Sequence, residues 1–218
     1  MQEHHLRVSR TARYFTLGSP EGAADVWFVC HGYGHLAARF LERFRPLESE
    51  QRCIVAPEAL SRFYVGGDGH EKIGASWMTR EDRLHEIDDY VRYLDAVYAD
   101  IVPPPLGAGV AALGFSQGAA TVCRWVAMGS SRIDRLIVWG GEIPPDLDLS
   151  QDRAAERLRT AHLTLVYGTR DEFFTPKIVA ATESRLGAYN IPYELIPFDG
   201  GHEIHEPTLR KLIQKSAR

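Results

Sequence analysis

The chain has 218 residues, 44% of them hydrophobic and 25% charged, with a formal net charge of −4. That size suits one domain over residues 1–218, and the interspersed charge leaves no basic stripe for nucleic acid or anionic lipid, so a small, fairly neutral or apolar ligand is the expected partner. A polar N-terminus and short apolar runs such as Val26–Cys30 predict neither a signal peptide nor stable membrane insertion, and the expected compartment is the cytoplasm, with a homodimer compatible.

In chain order, strands are predicted over 13–17, 25–30, 53–56, 110–115, 135–140, 163–168 and 193–198. Several are apolar almost throughout, the pattern of strands covered by helices on both faces. The loop 18–24 is too short for a crossover, so the first two strands are predicted to pair antiparallel. Helices are predicted over 36–48, 80–101, 117–128, 177–189 and 207–216. In the second of these, Leu84, Ile87, Val91, Leu94 and Tyr98 recur at steps of three and four, with Thr79 as N-cap. Its acidic residues (Glu81, Asp82, Glu86, Asp88, Asp89, Asp95) are assigned to a solvated face. Thr175-Pro176 supplies an N-cap and first-turn proline for the fourth helix. The stretch 101–109 is a stiff connector, and 140–162 is too short for a large lid. Parallel strands joined by right-handed helical crossovers give a three-layer α/β/α sandwich with a mostly parallel sheet of about seven strands.

The odd cysteine count, Cys30, Cys53 and Cys123, predicts reduced, buried thiols. His4-His5 sits at a frayable terminus and the His202/His205 pair lacks the spacing of a helical zinc site, so no metal is expected. No cofactor is expected either.

The chemistry concentrates at 114–118, Gly-Phe-Ser-Gln-Gly, between a strand and a helix. A nucleophilic serine there must occupy a sharp, strained turn that excludes side chains two residues before and after it. Ser116 then needs a histidine to take its proton and a carboxylate to hold that histidine, in the order serine, acid, histidine. Asp171 follows a strand and is preferred to Asp199, which lies close enough to His202 for a local loop bond. His202, freed by Gly200-Gly201, is preferred to His205. Oxyanion donors are expected at the backbone N–H of Gln117 and of Tyr33, the latter in the glycine loop 31–34 after an early strand. Phe63, Trp77, Met78 and Phe173 are assigned to the acyl pocket.

The motifs His-Gly-Tyr-Gly (31–34), Gly-Phe-Ser-Gln-Gly (114–118), Gly-Thr-Arg-Asp-Glu-Phe (168–173) and Gly-Gly-His (200–202) span most of the chain. On them the sequence resembles serine hydrolases of the α/β-hydrolase fold, in the phospholipase/carboxylesterase group that includes acyl-protein thioesterases and small bacterial carboxylesterases. The resemblance implies a catalytic triad of Ser116, Asp171 and His202 with oxyanion amides at Tyr33 and Gln117. Tyr33 stands where group members often carry leucine, and 56–64 lacks their small, glycine-rich turn. The expected activity is hydrolysis of short- or medium-chain carboxylic esters through an acyl-enzyme. Thioesterase or acyltransferase action, lactone or C–C hydrolysis, and a non-catalytic binding protein are the alternatives. Dienelactone hydrolases, similar in plan, carry cysteine where Ser116 stands.

Overall fold

The computed structural model describes residues 1–66, 72–102 and 107–214. The connector prolines at 103–105, Gly67 at the end of the Phe63 segment, and 215–216 of the last predicted helix lie outside them. The strands are β1 (Tyr14–Leu17), β2 (Asp25–Cys30), β3 (Arg52–Pro57), β4 (Ser61–Tyr64), β5 (Ile73–Ser76), β6 (Gly109–Phe115), β7 (Arg135–Trp139), β8 (His162–Gly168) and β9 (Tyr193–Phe198). Seven of them form one sheet in the order β1-β3-β2-β6-β7-β8-β9, parallel except for β1.

Successive residues of a strand face opposite sides, and here both sides are apolar. Val110 and Ala112 of β6 enter one core layer, while Ala111, Leu113 and Phe115 enter the other. The first layer lies under α2 (Arg83–Ile101), α3 (Gln117–Met128), α4 (Asp152–Thr160) and α5 (Pro176–Ala188). The second lies under α1 (Ala37–Leu41), a 3₁₀ segment over Glu42–Leu47, and α6 (Glu206–Gln214). The sandwich is therefore three-layered, as its patterning predicts.

Several local expectations need correction. β1 pairs antiparallel with β3, not with β2. The loop 18–24 has only to step over one intervening strand, a lateral move of roughly 10 Å, and it does so across the start of β3. Gly18, at φ +83°, lies so close that a Cβ there would meet the Arg52 carbonyl at 2.3 Å. The predicted helix over 36–48 splits into α1 and the 3₁₀ segment, which contains Pro46; a ring without an N–H cannot continue the α-helical ladder. Thr79 does not cap α2. Its N–H donates to the Glu86 carboxylate at 2.6 Å, and the helix starts at Arg83 behind Asp82, which is left-handed at φ 46°.

Asp95, assigned above to a solvated face, instead ends α3. Its carboxylate accepts from Trp125 Nε1 (2.8 Å), Ser130 N (2.8 Å) and Ser131 Oγ (2.6 Å). Thr175 and Pro176 do open α5, although the threonine hydroxyl makes no capping bond. Helix α4 and the antiparallel hairpin β4–β5 were not expected from the sequence. The three thiols are free and buried. Among the described residues no helix is long and apolar enough to cross a membrane.

Candidate active site

The turn after β6 carries the chemistry. Ser116 sits at φ 56°, ψ −117°, a conformation that costs an L-residue energy and persists only where the surroundings enforce it. The enforcement is steric. A Cβ at Gly114 would lie 2.1 Å from the Gly118 carbonyl oxygen, and one at Gly118 would lie 2.2 Å from that of Cys30. Strand β6, the first turn of α3 and the end of β2 thus meet with no side chain between them. The Ser116 N–H donates to the Trp139 carbonyl at 2.9 Å, tying the turn to β7.

Asp171 follows β8 and its side chain is almost wholly buried. Its Oδ2 accepts from His202 Nδ1 at 2.8 Å, while Oδ1 accepts from the N–H groups of Phe173 (2.8 Å) and Phe174 (2.9 Å). Three donors therefore pin both oxygens. The bond to Nδ1 leaves Nε2 as the unprotonated nitrogen of a neutral His202 ring. That ring packs between Phe115 (4.7 Å between centroids) and Phe173 (4.9 Å). Its loop is held against the Asp171 loop by Arg170 N to Gly200 O and Thr169 N to Phe198 O, each 2.9 Å.

The rivals lie elsewhere. Asp199 is exposed and paired with Arg170. His205 bonds Thr208 Oγ1 at 2.9 Å and stacks on Phe198.

Ser116 and His202 line one cavity of about 400 Å³, together with Gly32, Tyr33, Phe115 and Phe173. The loop after β2 approaches so closely that a Cβ at Gly32 would touch Ser116 Cβ at 3.2 Å. Within this loop Gly34 N donates to Ala75 O (2.9 Å) and His35 N to Gly32 O (3.2 Å). Among the described residues the Tyr33 and Gln117 amides have no acceptor within the protein, and the second opens a helix, where N–H groups favour negative charge. Such a pair can hold an oxyanion.

Of the four residues assigned to the acyl pocket, Phe173 lines the cavity. Phe63 instead packs tilted against Tyr33 at 5.0 Å between centroids, and Trp77 is buried in the core with Nε1 donating to the His31 carbonyl (2.8 Å). Met78 accepts through its carbonyl from Gln117 Nε2 at 2.7 Å and through its sulfur from Arg124.

Other residues of the site are not evident from the sequence. Gly140, at φ +55°, leaves 3.3 Å between its missing Cβ and Asp171 Oδ2, His202 Cε1 and His202 Nδ1. The Gln117 side chain turns away from Ser116, and its Oε1 accepts from Trp77 N at 3.0 Å. His31 is fully buried, with Nδ1–H donating to Gly32 O (2.8 Å) and Nε2 accepting from Ala59 N (3.1 Å). Burial lowers its imidazole to about 4. The spacing of motif glycines could have pointed to Gly140, which also follows a strand; the other contacts join distant segments.

No family model matches this sequence, and no curated protein matches it. Solved structures do. The Zea mays acyl-protein thioesterase 2 superposes with a TM-score of 0.74 at 16% identity, over 95% of this chain and 98% of that one. Together with the strand order and the strained serine turn, that settles the architecture. The chain has the α/β-hydrolase fold. Esterase PE8 shares the fold at TM-score 0.67 and 21% identity, over 94% of this chain and 99% of its own. A phospholipase/carboxylesterase from Dyadobacter fermentans DSM 18053 shares it at 0.65 and 16%, over 97% and 99%. Within this fold, Ser116 occupies the strand-to-helix turn and His202 the loop after the last strand.

Proposed function

We propose that the protein is a serine carboxylesterase acting on short- or medium-chain esters. One observation carries the proposal: His202, pinned from behind by Asp171, lines one cavity with the strained Ser116 and with Tyr33. Ser116 Oγ attacks the ester carbonyl while His202 Nε2 takes its proton, and Asp171 stabilises the imidazolium. The amides of Tyr33 and Gln117 receive the tetrahedral oxyanion. Collapse expels the alcohol with the proton returned by His202; water then enters by the same route and frees the acid. The acid–base work needs a neutral imidazole, which the Nδ1 bond to Asp171 holds in the required tautomer.

A cavity of about 400 Å³ accommodates a small acyl chain better than a long one. The likeness to an acyl-protein thioesterase keeps thioester hydrolysis as the second reading. A soluble small-molecule ester is the proposed partner, in the cytoplasm. The test is a parallel screen of ester, thioester and amide substrates with Ser116→Ala, alongside labelling by a fluorophosphonate. Ser116 should be the labelled residue, and its loss should lower turnover by on the order of 10⁶. Full activity in the variant would refute the proposal, as would labelling at another position.

A further inference from the structure

The walls of the Ser116 cavity also carry Arg43, from the 3₁₀ segment, and His35, from the loop after β2. Several arginines elsewhere are committed to carboxylates: Arg13 to Glu58, Arg52 and Arg135 to Asp25, Arg124 to Asp146. The Arg43 side chain has no hydrogen bond or ion pair among the described residues. Its charge nonetheless reaches inward. The His35 imidazole, exposed to the cavity and parallel to Phe115 (6.0 Å between centroids), is lowered from its ordinary value by desolvation first, then by Arg43, His202 and Lys72. His35 is thus a neutral hydrogen-bonding group at physiological pH and Arg43 the fixed cation.

Glu203 is the one acidic residue among those lining the cavity. Its carboxylate folds back over Gly200, where an added Cβ would come within 2.9 Å of Oε1, and it makes no ion pair with Arg43. Phe40, Phe115 and Phe173 supply apolar wall beside the cation, a setting in which a single charge is screened less than in open water.

We propose that this cavity selects esters bearing an anionic group, a carboxylate or its like, which Arg43 receives with His35 alongside while Ser116 attacks the ester. The proposal rests on the esterase reading and names its substrate class. A guanidinium suits the role because its planar fork donates two parallel N–H bonds to a carboxylate. The net charge of −4 is no obstacle, since distant surface acids are screened beyond about 8 Å at physiological salt.

The experiment compares matched ester pairs, with the uncatalysed rates subtracted. For an anion on the acyl side, 4-nitrophenyl hemiadipate is set against its methyl-capped neutral form. For one on the alcohol side, 4-acetoxybenzoate is set against 4-acetoxybenzamide. In at least one pair kcat/KM should favour the anion by about tenfold. That ratio should fall toward one in Arg43→Gln, below one in Arg43→Glu, and with added sodium chloride. A ratio of one or less in both pairs overturns the proposal, and so does a ratio unmoved by Arg43→Gln. Binding of monomethyl adipate and of benzoate to Ser116→Ala, followed by NMR, gives a readout independent of turnover. Anion binding lost in the Arg43→Gln background supports the inference; binding of neither anion, or binding unchanged by that substitution, overturns it. Absence of hydrolysis of all four esters, with Ser116 unlabelled by fluorophosphonate, would instead sink the esterase reading.

Discussion

Gly140 shows how a residue with no side chain can govern side-chain chemistry. Its φ of +55° and the 3.3 Å left to both Asp171 and His202 give alanine two penalties there, about 1–2 kcal/mol of backbone strain and a push on the pinned pair. Misplacement of reacting groups by ~1 Å can cost on the order of 10² in rate. Gly140→Ala should therefore lower kcat by roughly that factor while the thermal midpoint falls only a few degrees; unchanged kcat would show that the pair is indifferent to this position. His31 makes a different prediction. Burial drops its imidazole from 6.5 to about 4, so between those values the unfolded chain binds more protons than the folded one. The stability contributed by neutral His31 is complete above pH 6.5 and declines as pH falls toward 4, by at most about 3 kcal/mol. Denaturant titrations at pH 7.5 and 4.5 should show a smaller difference for His31→Gln than for the parent. Equal differences would assign the acid sensitivity to other groups.

The hairpin β4–β5 braces the loop that presents the Tyr33 amide. Ala75 bonds Gly34 and His35 through its backbone, and a Cβ at Gly74 would stand 2.6 Å from the Gly34 carbonyl oxygen. Gly74→Ala must lift the hairpin from the loop or tilt the loop itself. Loss of one aligned oxyanion donor costs about 10²–10³ in turnover, and a loss of that order in kcat, with the far-ultraviolet circular dichroism unchanged, is expected. If kcat holds, the hairpin does not position the amide. Helix α3 is fixed from its other side by the Gln117 side chain on the Ser76–Met78 segment and by Asp95 at its C-terminus. Both ends of the helix that follows Ser116 are thereby anchored by side chains rather than by the sheet alone.

Taken as a whole, the molecule leaves its cavity partly open, without a long helical cover; α4, the helix between β7 and β8, spans Asp152–Thr160. Activity on a medium-chain 4-nitrophenyl ester should therefore rise smoothly through the critical micelle concentration. A chain-length series should peak at short or medium acyl groups. An abrupt rise at the micelle threshold, or a maximum at long chains, would contradict a fixed cavity of about 400 Å³.

Gly114, Ser116 and Gly118 are readable from the chain because the steric demand of one turn is local, and their spacing records it. The strands are readable for a similar reason: a sheet buried on both faces needs continuous apolar runs, as in β2, β6 and β7. The succession of strands also placed Asp171 and His202 at the ends where loops converge. Other features depend on segments far apart in sequence. Whether β1 pairs with β2 or β3 turns on which edge its backbone groups can reach. Trp77 is equally apolar in a pocket or a core, and only packing sends it into the core. Arg43 belongs to an unremarkable charged stretch until α1 and the 3₁₀ segment carry it beside Ser116. Sequence by itself settled the layered fold and the local turn; convergence of remote backbone and side chains settled the brace, the cavity wall and its charge, because those contacts leave no periodicity or spacing behind them.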